Sequence, residues 1–274
     1  MAIARDVVEQ INNLTLGDEY LFESVLQNKM LCKAFIGTFL EIPDITDIEY
    51  VGVEETYKDS YHSKGVRFDV YVEGTDGVAY VIELQRKDTK ALGKRMRYYA
   101  SRADSRQLKA GKHYRELKDN IVIFIIRKPV WGGGLMRYTF RNTCVELPEL
   151  ELDDGTKKVA FNTKGTIANV SEDVVAFLNA IEGIETDNEF VEQFQKEAAE
   201  IKADETWRAD YMQSLLREQD VFLDGKAEGH ALGIYEKTIE AAKKMFTMGM
   251  DVAQIAEALS VQEGFVEQAV QSTD

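Results

Sequence analysis

The stretch Lys64 to Gln85, KGVRFDVYVEGTDGVAYVIELQ, decides how this chain folds. Two runs that alternate apolar and polar residues, Val66 to Glu73 and Val78 to Gln85, flank the turn residues Gly74, Thr75, Asp76 and Gly77, and predict an antiparallel hairpin. In the second run Ala79, Val81, Ile82 and Leu84 supply apolar bulk. Glu83 and Gln85 interrupt it two positions apart, so both lie on one face about 6.6 Å from each other. In the first run Asp69 sits among Phe68, Val70, Tyr71 and Val72. An ionised carboxylate among such neighbours is costly unless it is paired or coordinated. Two carboxylates and an amide oxygen suit a hard cation, and Mg²⁺ held by one or two carboxylates and water, with Mn²⁺ as a substitute, fits best. The plainer reading is that Arg67 or Lys64 neutralises Asp69 in a structural ion pair.

Working outward, residues 1–17 read as a mobile or loosely docked arm. From Asp18, a natural N-cap, one amphipathic helix carries Phe22, Val25, Leu26, Met30, Leu31, Phe35, Phe39 and Leu40 and ends before Pro43. Ile45 to Val53 reads as a first strand. After Gln85 the period changes, and from Asp88 to Ala110 the residues Leu92, Met96, Tyr99 and Ala103 mark a buried helical face. Arg95, Tyr98, Arg102 and Arg106 form a second line at i, i+3, i+7 and i+11, with Lys94 and Arg97 beside it. Such a line can follow a phosphate backbone, with Tyr98 available for stacking, or it can be a solvated face. Asn120 to Ile126, NIVIFII, reads as a strand buried on both faces and reached by a helical crossover, hence parallel to its predecessor. The order helix, strand, hairpin, helix, strand gives a mixed sheet between helices, with Asp69 and Glu83 meeting near its splayed end.

The remainder is organised around that core. Trp131-Gly132-Gly133-Gly134 lacks the spacing of a phosphate loop and reads as a turn. Tyr138 to Val145 and Lys157 to Phe161 read as further strands. Ser171 to Asp220 is helical and acidic. Gly225, Gly229 and Gly233 recur every four residues and predict a hinge or a weak helix. Ile239 to Ala269 reads as helix, turn, helix, but Glu263 to Val270 carries two Glu and no Lys or Arg, which suits packing better than reading DNA. The expected division is a core over 1–170, a helical extension over 171–224 and a Gly-hinged helical tail over 225–274.

The 274 residues carry a net charge of -15, which argues against a generic polyanion binder. The charge is uneven. Tyr61 to Lys118 holds roughly 14 Lys and Arg against roughly 7 Asp and Glu, whereas residues 171–274 hold roughly 8 against roughly 23. Cys32 and Cys144 have no partner at metal-ligand or redox spacing, and His62, His113 and His230 are scattered, so zinc or histidine-base chemistry is not indicated. No run approaches the roughly 18 apolar residues of a membrane span, and the charged start MAIARDVVEQ differs from a signal peptide. The expectation is a cytoplasmic protein with no membrane partner and a possible homodimer through the helical extension.

Asp69, the hairpin turn and Glu83-Leu84-Gln85 resemble the D…ExQ variant of the PD-(D/E)XK nuclease signature found in recombination-promoting nucleases and transposases of that family. Asp18 to Phe22 is similar to the family's opening helix and Lys94 to Tyr99 to its post-motif helix. Leu108 to Tyr114 followed by Asn120 to Ile126 is similar to the approach to its next strand and that strand. Gly155-Thr156, Asn162 to Gly165 and Gly225 to Gly229 extend the likeness along nearly the whole chain.

The resemblance implies a restriction-endonuclease-like mixed sheet flanked by helices, followed by an acidic helical extension. It implies a Mg²⁺-dependent DNA endonuclease linked to transposition or recombination. In that scheme Asp69 and Glu83 bind the metal, with the carbonyl after Glu83 as a further ligand, and Asp18 or Glu23 on the opening helix is a candidate third carboxylate. Gln85 stands where the orthodox motif has Lys. Gln85 would orient water, and Lys87, Lys94 or Arg95 would supply the missing charge near the scissile phosphate. Lys94, Arg97, Tyr98, Arg102 and Arg106 are the candidate DNA contacts. The alternative is a catalytically inactive nuclease-fold protein that binds DNA or another protein.

Overall fold

The structure is a computed structural model that describes residues 8–57, 66–85 and 91–271. Lys64 and Lys87, two of the cations considered above, lie outside the described residues, as does the side chain of Arg67. The chain divides into two compact units, 1–208 and 209–274.

The first unit is built on a six-stranded sheet in the order β1-β2-β3-β4-β6-β5. Its strands are β1 (Ile48–Tyr57), β2 (Val66–Gly74), β3 (Ala79–Gln85), β4 (Asn120–Ile126), β5 (Arg137–Phe140) and β6 (Thr156–Asn162). β1, β2 and β3 are antiparallel neighbours, while β3, β4 and β6 run parallel, with Gln85 opposite Ile126 and Ile126 opposite Asn162. Every residue of β4 is buried, as its unbroken apolar run requires of a strand covered on both faces. The expected β3–β4 crossover is made by a helix. β5 closes the far edge, where Asn169 donates to the Arg137 carbonyl and accepts from its N–H at 2.9 Å each, occupying part of that edge.

One face of the sheet carries α1 (Glu19–Leu26), α2 (Lys29–Leu40), α4 (Glu172–Ile181) and α5 (Glu189–Ala203), whose Phe22, Phe35, Phe39, Phe177 and Phe194 share a core with Val70, Ile82, Ile123 and Phe161. The other face carries α3 (Leu92–Gln107), whose Leu92, Met96, Tyr99 and Ala103 pack on Phe68, Tyr71, Val81 and Phe124. This is a restriction-endonuclease-like core, a mixed sheet flanked by helices, followed by a helical extension.

Two local expectations need correction. The single helix expected from Asp18 is two, because Asn28 turns its side chain onto the N–H groups of Met30 and Leu31 and starts a new helix. The residues before Asp18 are not a loose arm throughout: Ile11 and Leu16 are buried, and Lys202 donates to the carbonyls of Asn12 and Leu14. Residues 171–203 pack on the sheet, and α4 and α5 complete its core.

The second unit contains most of α6 (Glu205–Thr247), α7 (Val252–Leu259) and α8 (Glu263–Gln271). Ala242, Ile255, Ala256, Val266 and Ala269 form a small core of their own. α6 passes unbroken through Gly225, Gly229 and Gly233, so that of the two expected alternatives a helix forms and no hinge does. Each glycine costs about 1 kcal/mol relative to Ala, and the Ala, Leu, Lys and Glu residues around them favour helix enough to outweigh that cost.

Candidate functional site

The hairpin forks at its open end. Cross-strand pairing of β2 with β3 runs from Glu73 opposite Ala79 to Val70 opposite Ile82. Beyond that point β2 stays with β1, and β3 stays with β4. Backbone groups left by such a separation need other partners, and two carboxylates provide them. The Asp69 N–H donates to Glu83 Oε1 at 3.0 Å, and the Leu84 N–H donates to Asp69 Oδ2 at 3.0 Å. Asp69 and Glu83 therefore meet at the fork because each accepts from the other strand.

α3 closes the site from the sheet's face. Arg95, in its first turn, donates to Gln85 Oε1, approaches Glu83 Oε2 at 3.3 Å and bonds the Tyr99 hydroxyl at 2.9 Å. Its guanidinium lies 5.2 Å from the Tyr99 ring centre and 5.4 Å from that of Phe124. Glu83 is fully buried, and this burial, reinforced by the Asp69 charge, holds its carboxyl well above the ordinary range. The Asp69 N–H and the Arg95 guanidinium pull the other way without cancelling that rise.

Asp69, Glu83, Gln85 and Arg95 are thus brought together. Of the candidate cations, Arg95 reaches the acids, whereas Lys94 is exposed on the outer side of α3. Asp18 caps α1 by accepting from Leu21 N–H at 3.1 Å, and Glu23 is buried on that helix. Among the described residues no group of three or more His, Cys, Asp or Glu side chains is placed to hold a metal ion, so Asp18 does not join Asp69 and Glu83 in such a cluster. The two-acid donor set suits a hard divalent cation in kind. As arranged, however, a guanidinium faces Glu83 Oε2.

The line Arg95, Tyr98, Arg102, Arg106 does not face outward as one surface. Arg102 is buried, donates to the Tyr98 hydroxyl at 2.7 Å and lies 4.8 Å from that ring. Arg106 stacks 4.3 Å over Tyr71 and 5.3 Å over Tyr50, with Glu73 3.8 Å away. The outward line of α3 is instead Lys94, Arg97, Ser101 and Ser105, all exposed, with half-buried Asp104 beside it. Sequence reading placed Tyr99 only in the core. Its spacing of four from Arg95 was the available sign of the hydroxyl contact.

It also missed a charged cluster at the ends of β4 and β6. There Glu182 accepts from Arg127 at 2.8 and 3.2 Å, Thr163 at 2.8 Å and Lys164 at 2.5 Å. The Arg127 guanidinium beside it lowers its pKa to about 2. These partners are far apart in sequence, and nothing in their spacing signals the contact.

The site thus lies in a mixed α/β sheet between helices, with an Asp and a Glu joined across a forked hairpin. Residues 19–134 match the family model for the PD-(D/E)XK nuclease family transposase, so a domain of that family is identified over this stretch. The match ends at Gly134, before the later motifs that looked familiar in the sequence. No curated protein and no solved structure matches the chain. Among the described residues no helix is long and apolar enough to cross a membrane.

Proposed function

We propose that this chain is a nuclease-fold protein that binds DNA, in which Arg95 balances the Asp69–Glu83 pair and binding, not strand cleavage, is the activity. The carrying observation is the guanidinium shared among Glu83, Gln85 and Tyr99. It supplies positive charge at the place where a divalent ion would otherwise bring it. The outer face of α3 supports contact with a phosphate backbone: Lys94 and Arg97 supply charge, and Ser101 and Ser105 are exposed beside them.

A second reading, hydrolysis with Mg²⁺, draws on the meeting of two carboxylates at one point. Asp69 and Glu83 would hold the ion, which would acidify a bound water and stabilise charge on the phosphate. Gln85 would orient that water, and Arg95 would take the place of the usual lysine.

One experiment separates the readings. Fluorescence anisotropy with labelled DNA in EDTA measures binding, and plasmid nicking with Mg²⁺ or Mn²⁺ measures cleavage. The proposal expects binding in EDTA, and no nicking by the parent above the level of Asp69→Ala and Glu83→Ala. Metal-dependent nicking that both substitutions abolish would establish hydrolysis instead. Lys94→Ala and Arg97→Ala should each weaken binding across sequences and reduce the salt slope by about 1. Unchanged slopes in both would remove α3 from the interface.

A further inference from the structure

The end of the sheet opposite the acid pair carries two features that the DNA-binding reading does not use. Between β5 and β6, residues 141–155 form an ordered arm. Cys144 N–H donates to the Leu150 carbonyl at 2.9 Å, Leu152 N–H to the Asn142 carbonyl at 2.9 Å, and Arg141 pairs with Glu151. On this arm Val145, Leu147, Leu150 and Leu152 are exposed by 87, 46, 53 and 68 %. Between them and just beyond stand Glu146, Glu149, Glu151, Asp153 and Asp154, with Arg141 the sole Lys or Arg. Alternating leucine and carboxylate on a hydrogen-bonded arm presents apolar surface inside an anionic frame, unlike the solvated loop its position would predict.

The loop that leads from α3 to β4 enters the sheet at the same end, because Asn120 and Thr156 pair at the starts of β4 and β6. Residues 109–119 are exposed apart from half-buried Leu117, and they carry Lys109, Lys112, Arg115 and Lys118 against Glu116 and Asp119. Tyr114, 83 % exposed, stands on a short 3-10 turn (Tyr114–Glu116) held by His113 and Glu116. The loop is therefore a cationic surface with an exposed aromatic ring at its centre. Its charge complements that of the arm.

We propose that two copies of the chain pair through this end of the sheet, the arm of each docking on the basic loop of the other. Tyr114 of one copy enters among Leu147, Leu150 and Leu152 of its partner, and the carboxylates of the arm face the lysines and arginine of the loop. Because both surfaces lie on one end of one unit, the exchange is reciprocal and closes as a two-fold dimer. Arm and loop together present about 26 residues per copy, within the roughly 20–30 of a standard interface. A buried tyrosine surrounded by opposite charges also matches the composition of interface centres.

The test uses the full chain without nucleic acid, so its outcome does not depend on the DNA-binding reading. Sedimentation velocity over a concentration series should show a dimer for the parent, weakened by salt. Glu146→Lys with Glu149→Lys, and separately Lys109→Glu with Arg115→Glu, should each raise the dissociation constant at least tenfold, with circular dichroism unchanged. Tyr114→Ala should do the same. A chain carrying all four charge reversals should regain the dimer. A parent that is monomeric throughout, dimers that persist in both reversed variants, or a combined variant that stays monomeric would each overturn the proposal; the second outcome would move the contact elsewhere, with α6 the next surface to test.

Discussion

Arg95 binds an amide, a carboxylate and a hydroxyl that come from two elements, so its removal affects all three. Arg95→Met should destabilise the fold by about 3 kcal/mol, the lower end of what breaking a buried pair costs, since Arg95 itself is one-third exposed. Chemical denaturation at pH 7 measures this, and adding Glu83→Gln to the variant should recover part of the loss. The two shifted glutamates make opposite predictions. The folded pKa of Glu83 is raised, so the native state holds its proton more tightly and stability falls as pH rises above the ordinary carboxylate value of 4.5. Glu83→Gln should therefore gain on the parent at pH 7 and lose that gain by about pH 4. The folded pKa of Glu182 is depressed, so its contribution is complete above the ordinary range and is lost as pH falls through about 2. Glu182→Gln should cost about 1–3 kcal/mol at neutral pH, with the difference narrowing in acid. Asp69 and Glu83 could be picked out from sequence because carboxylates disrupt an apolar run. The choice of Arg95 over Lys94 could not, because it depends on how far the start of α3 is rotated against the sheet.

At the scale of elements, periodicity located the hairpin, β4 and α3, whose apolar patterns are long and unmixed. It failed at Asn28, where the apolar spacing runs on across Gln27 and only the cap interrupts it. Asn28→Ala should cost about 1 kcal/mol in thermal or chemical unfolding by removing the acceptor for two N–H groups. At the glycines of α6 it left a hinge and a weak helix open, because the intrinsic preference of single residues does not give the summed preference of the helix around them. A Cβ at Gly225, Gly229 or Gly233 would meet no heavy atom within 4 Å. Ala at each should therefore stabilise the helix by about 1 kcal/mol, read as a higher melting temperature by circular dichroism; a loss of stability would mean that these positions serve a close approach.

Over the whole molecule, the boundary between the compact units falls after residue 208, between the expected boundaries at 170 and 224. Residues 171–203 are acidic, yet Val174, Phe177, Leu178, Val191 and Phe194 bury a continuous apolar face on the sheet's core. Net charge describes the solvent side of a helix, whereas the division into units follows its other side. A chain ending after Arg217 keeps Trp207, whose indole donates to Ser24 Oγ at 2.8 Å. It should unfold in one cooperative transition at the parent's midpoint for this core.

The fork between β2 and β3 gives the amides of Asp69 and Leu84 an unusual status. Elsewhere in a hairpin, deuterium uptake reports strand opening, but these two protons are guarded by side-chain oxygens that a cation can also claim. Their exchange rates, followed by NMR during addition of Mg²⁺, become a gauge of whether the acids release the backbone, residue by residue and without any substrate.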